Sequence, residues 1–238
     1  MKNASINVWR LILISIIALL NLSPSWLTAW SYDQESLTTR SISFDHLQPV
    51  ESALSARING TMYCLALVNG QASISSCQTD QRIVAWQSPS DWEVLEAFFA
   101  DLNRDGVSEA TLLVWRDFQP WPVDRFLPSG GRIKSFQDSN GRSCQVILMG
   151  MKDGEFTEAW AGSAMADPLH QVHAADLDGD GMEELAGLEY PYNGNSHRSS
   201  IVIWEWNGFG FSLGDRVIGS YSTLQIILDE QSVLLVVQ

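Results

Sequence analysis

Oxygen-bearing side chains recur at fixed spacing in two short stretches, Asp101-Leu-Asn103-Arg-Asp105-Gly106-Val-Ser-Glu109 and Asp176-Leu-Asp178-Gly-Asp180-Gly181-Met-Glu-Glu184. In each, positions 1, 3, 5 and 9 carry a carboxylate or carboxamide and position 6 is glycine. Alternating oxygens on a tightly curled chain can surround a hard cation such as calcium, and glycine permits the sharp turn. The position 7 carbonyl (Val107 or Met182) can add an oxygen, and Glu109 or Glu184 can close the shell. The candidate ligands are therefore Asp101, Asn103, Asp105, Val107 and Glu109 in one loop and Asp176, Asp178, Asp180, Met182 and Glu184 in the other, for up to two Ca2+ ions.

The elements that hold these loops are strands. A helix–loop–helix calcium site needs its bidentate acid at position 12, where this chain has Leu112 and Gly187. The flanks, Phe98-Phe99-Ala100 before the first loop and Ala110-Thr-Leu-Leu-Val-Trp115 after it, are β-type runs. The competing interpretation is two acidic hairpin turns with no ion, since Asp-Gly pairs also mark plain turns.

Asp176 stands 75 positions after Asp101, and at that offset Ala100 falls on Ala175, Leu102 on Leu177, Leu113 on Leu188 and Trp115 on Tyr190. This is an internal repeat. Two further β-type segments follow in each copy (143–150 and 155–160; 200–206 and 209–217), giving four strands per unit, as a propeller blade requires. On the residues Ala100 to Gly106 with Glu109, and Ala175 to Gly181 with Glu184, the chain resembles the FG-GAP or VCBS-type repeats of integrin-α-like β-propellers. The resemblance covers about 92–217. It implies that each loop joins the first two strands of a blade and holds calcium. Asn103 replaces an aspartate and Arg104 adds a cation, so the first loop is expected to bind more weakly than the second.

The expected fold class is all-β: a small or partial β-propeller of about three to four four-stranded antiparallel blades over 43–238, with clear blades at about 92–160 and 169–217. Strands near the N terminus would complete the blade begun by 222–230 and 232–238. Residues 1–29 have the layout of a secretory signal, with Lys2 and Arg10 before the apolar run Leu11 to Leu20 and Leu27-Thr28-Ala29 at the cleavage position. An uncleaved membrane anchor is the alternative, and residues 30–42 are read as a spacer. Either way the domain is expected outside the cytoplasm.

The net charge of −14 argues against nucleic acid and anionic lipid surfaces as partners, because both require a basic footprint. Of the three cysteines, Cys64 and Cys77 flank the Asn69-Gly70 turn. A four-residue loop would set them opposite each other. A two-residue loop would leave them diagonal, at about 7 Å, beyond a relaxed disulfide. Cys144 begins a strand and reads as a buried small hydrophobe. The four histidines, His46, His170, His173 and His197, stand in no zinc or nucleophile-elbow spacing, and His170 and His173 read as structural. No catalytic or organic-cofactor residue emerges. Glu189 and Asp124 keep a glycosidase pair in play.

The segment 116–132, rich in proline and aromatics and carrying Trp121, is the candidate surface for an unknown protein or glycan, the alternative being that Trp121 and Phe126 fold back to cap the blade. The strand tryptophans Trp86, Trp115, Trp160, Trp204 and Trp206 are expected to be packed within or between blades. The leading functional expectation is an exported calcium-binding interaction module; the alternative is a calcium-dependent carbohydrate-active enzyme or its accessory subunit.

Overall fold

The computed structural model describes residues 27–41, 47–77, 83–119, 126, 136–193, 198–229 and 232–238. Residues 1–26 of the leader expected over 1–29 lie outside them, as do His46, Trp121, Asp124, His197 and most of the 116–132 segment, whereas Thr28 and Ala29 belong to the first strand. The described residues form an all-β propeller of four blades. The chain opens with β1 (Thr28–Asp33), β2 (Ser36–Arg40) and the two-residue β3 (Gln48–Pro49). Blade one is β4 (Ser55–Ile58), β5 (Thr61–Val68), β6 (Gln71–Ser76) and β7 (Val84–Gln87). Blade two is β8 (Glu93–Ala100), β9 (Glu109–Asp117), β10 (Arg142–Lys152) and β11 (Glu155–Ala161). Blade three is β12 (Leu169–Ala175), β13 (Glu184–Glu189), β14 (Ser199–Trp206) and β15 (Phe211–Gly219). Blade four joins both ends of the chain: β16 (Leu224–Asp229) and β17 (Ser232–Val237) continue into β1 and β2, with β3 added on the free side of β16.

Residues 30–42 are thus mostly structural and not a spacer, since β1 pairs with β17 through Thr28↔Val237, Ala29↔Val236 and Trp30↔Leu235. Turn chemistry explains why they are hard to recognise. The Asn59-Gly60, Asn69-Gly70 and Asp153-Gly154 hairpins have both central residues at positive φ, in residue types suited to it. The β1–β2 hairpin puts Gln34 and Glu35 there, at φ 50° and 59°, with no glycine or asparagine to signal a turn.

Side chains on opposite faces of each strand fill different gaps between blades. In β9, Leu112 and Val114 pack with Ile58, Leu65 and Ile74 of blade one, whereas Leu113 packs with Leu169, Val172 and Leu185 of blade three. Between blades three and four, Leu188, Ile201 and Ile203 meet Tyr32, Leu224, Ile226 and Leu235. Trp160 of blade two stacks edge-on against Trp206 and Phe211 of blade three, at 5.8 and 5.1 Å between centroids, so it packs between blades as expected.

Side chains also join adjacent first strands. Glu96 accepts the Val172 N–H at 2.8 Å, and Gln171, 75 positions later, accepts the Leu224 N–H at 2.7 Å.

Cys64 and Cys77 are bridged, although the Asn69-Gly70 loop has two residues and Cys64 pairs with Ser75. The expected obstacle is absent because β6 ends at Ser76, and the chain bends at Cys77 to a Cα–Cα distance of 5.4 Å. Cys144 is fully buried, its thiol 3.7 Å from the Leu169 carbonyl, and burial pushes its pKa up to about 12.

Candidate cation site

Each acidic loop connects the first and second strands of its blade, β8 to β9 and β12 to β13. The leucine at position 2 anchors it: Leu102 and Leu177 are buried in the interblade cores, so the polar positions around them are turned to the rim. The curl is closed by its own side chains. Asp101 accepts the N–H groups of Asp105 and Gly106 at 3.1 and 2.8 Å, and Asp176 accepts those of Gly179 and Gly181 at 2.8 and 3.0 Å. At position 5, Asp105 and Asp180 accept the N–H of Val107 and Met182 at 2.9 and 2.8 Å. Gly106 and Gly181 both have φ of 86°. The Val107 and Met182 side chains stand exposed, leaving their backbone carbonyls as the groups that could serve an ion.

The two loops differ at their centres. In the second, one carboxylate oxygen from each of Asp176, Asp178 and Glu184 lies within 4.8 Å of the others. Oxygens sharing a calcium ion at 2.3–2.6 Å are separated by at most about 5 Å, so this donor set fits the ion. In the first, Asn103 turns its amide nitrogen inward, donating to Glu109 Oε1 at 2.6 Å and Asp105 Oδ2 at 3.2 Å. Glu109 Oε2 is buried with no hydrogen-bond partner, an orphaned acceptor that a cation would satisfy.

Both position 9 glutamates are strongly perturbed. Burial, then repulsion from Asp105 and Asp101, pushes Glu109 up to about 8. Burial, then Asp178 and Asp180, pushes Glu184 up to about 7, against the Leu177 N–H and Arg104, which favour its charged form. Carboxylates crowded without a cation hold protons; a divalent ion would reverse that preference.

Arg104 does not act where the sequence suggests. From loop one it reaches across to loop two, donating to Glu184 Oε1 at 3.1 Å. The Asp101 N–H donates to Glu183 Oε2 at 2.7 Å, so the loops interlock. The charge expected to weaken the first loop is therefore placed at the second, on Glu184. Neither cross-loop contact is visible in spacing alone. The only hint is the offset, which aligns Arg104 with Gly179 and so marks Arg104 as the anomalous residue at a left-handed position.

Other candidates resolve differently. His173 is largely buried and donates to the Leu224 carbonyl at 3.1 Å, a structural role, whereas His170 is exposed beside Tyr190. Glu189 is buried 3.0 Å from Arg216 and belongs to a structural pair. Arg116, at the start of the interaction segment, is committed to Gln145 and to the Trp92 ring. No protein-family model, curated protein or solved structure matches the chain, so what the molecule does must be read from its own geometry.

Proposed function

We propose that the protein is a calcium-binding propeller module of FG-GAP/VCBS type, working outside the cytoplasm as a non-enzymatic interaction domain for a protein or glycan. The observation that carries this reading is the convergence of Asp176, Asp178 and Glu184 in a loop whose remaining turns are already closed by its own hydrogen bonds. A second loop at the equivalent place in the preceding blade, with a buried unpartnered glutamate oxygen, supports it. Calcium would stiffen the rim between the first two strands of blades two and three and relieve the repulsion among the carboxylates. The Cys64–Cys77 disulfide accords with an oxidising compartment.

Calorimetric titration of calcium into the protein, beside a variant carrying Asp176→Ala and Asp180→Ala, tests the reading. Binding heat that is lost from the second loop in the variant, with chelator lowering the melting temperature of the parent, is the expected result. Absence of heat at millimolar calcium from a folded parent would demote both loops to acidic turns.

A further inference from the structure

At the strand ends opposite the cation loops, a cleft of about 580 Å³ opens between blades two, three and four. Its walls are rings: Trp115 from the end of β9, His170 from β12, Tyr190 and Tyr192 just after β13, and Tyr221 between β15 and β16. Among the described lining residues Asp138 is the one carboxylate, and there is no lysine or arginine. The volume lies within the range of small-molecule sites. We propose that this cleft binds an organic cation, a substituted ammonium group held against the aromatic rings and balanced by Asp138. This is independent of the calcium reading.

Three observations select that chemistry. First, the rings are held in place by contacts that leave them little to offer except their apolar surfaces. Tyr190 donates its hydroxyl to the Tyr221 carbonyl; Tyr192 donates to Met165 at 3.0 Å and accepts the Cys144 N–H at 3.1 Å. Trp115 and Tyr192 meet at 76° and His170 and Tyr190 at 65°, so the walls turn corners as a cage requires. Cations are attracted to such ring surfaces, most strongly to tryptophan.

Second, the polar inventory is too small for a sugar. Ser222 donates to the Gln238 carbonyl, and one Asp138 oxygen accepts the N–H groups of Asn140 and Arg142. What remains is the other Asp138 oxygen, Ser220, His170, the Tyr221 hydroxyl and the Trp115 indole N–H, spread over separate walls, whereas a pyranose brings several hydroxyls that each need a partner.

Third, the charge sign favours a cation. The chain carries −14 overall, and Asp138 is the charged group among the described lining residues. Arg142 is paired with Glu93 at 2.7 Å and Arg216 with Glu189 at 3.0 Å, so these neighbouring positive charges are already balanced.

The test compares choline with its neutral isostere 3,3-dimethylbutan-1-ol by calorimetry on the full chain, with and without chelator. Choline is expected to bind about tenfold more tightly than the alcohol, and equally with chelator present. Tyr221→Leu and Trp115→Leu, which keep apolar bulk and remove the ring, should each weaken choline about tenfold. Gly219→Ala should do the same with every ring retained, because a Cβ there would stand 2.3 Å from the Tyr221 ring and displace it. Equal affinity for choline and the alcohol, no binding of choline, or neutral disaccharides binding in its place would each overturn the proposal. The first comparison uses the parent protein and stands even if a variant fails to fold.

Discussion

Arg104 of the first acidic loop donates to Glu184 of the second, 3.1 Å from guanidinium to carboxylate, tying blade two to blade three through the group that would otherwise face a cation. Glu184 is 1 % exposed and Arg104 sits in a left-handed conformation, φ 64°, where its counterpart is Gly179 at 82°. A side chain in that region costs about 1–2 kcal/mol relative to glycine. The arginine is thus retained at a strained position in exchange for a contact in the neighbouring loop.

Arg104→Gly should remove the competing charge and the strain together. Calcium affinity at the second loop is expected to rise about fivefold, the effect of about 1 kcal/mol of lost competition, while thermal stability changes little. Calorimetry on the variant checks this; weaker binding would mean that Arg104 supports the ion and does not compete with it.

The pH dependence of stability should have a component from Glu96. Burial pushes its carboxyl up to about 7 from an ordinary 4.5, despite the Val172 N–H that favours the anion. Between those values the folded chain keeps a proton that the unfolded chain has released, so this contribution is present at low pH and is lost as pH rises through the window. Glu96→Gln in excess chelator should therefore raise the melting temperature by a few degrees at about pH 8 and hardly at all at about pH 4. Gln171 shows within the same molecule that a carboxamide can accept the equivalent N–H. A loss of stability at both pH values would contradict the assignment.

The disulfide spans 13 positions of blade one, a loop whose closure is worth about 3 kcal/mol of unfolded-state entropy. Cys77→Ser is expected to lower the melting temperature by about 6–12 °C. Reductant should lower the parent towards the same value and leave the variant unchanged.

Strand β1 should be indispensable. A chain beginning at residue 34 exposes the β17 edge and loses the Tyr32 hydroxyl bond to Glu205, whereas one beginning at residue 27 retains both. Size-exclusion chromatography and melting curves should show the shorter chain aggregated or without a cooperative transition; a monomeric, cooperative shorter chain would show that the blade closes without β1.

The propeller architecture and the position of both acidic loops follow from local patterning in the amino-acid sequence. Period-two apolar runs, Asn-Gly and Asp-Gly turns and a 75-residue offset are properties of neighbouring residues, and they delimit blades two and three to within a few positions. The hairpin at Gln34-Glu35 escapes because its positive φ is required by the two-residue connection between β1 and β2, while its own residue types carry no turn signal. The bridge between Cys64 and Cys77 depends on where β6 stops, which regular register cannot foresee. Tertiary structure alone decides that Arg104 serves the other loop, that Glu109 retains an unpartnered oxygen, and that rings from three blades meet in one cleft. Those relationships arise where blades pack side by side, and strand periodicity says which face a side chain takes but not which neighbour it finds there.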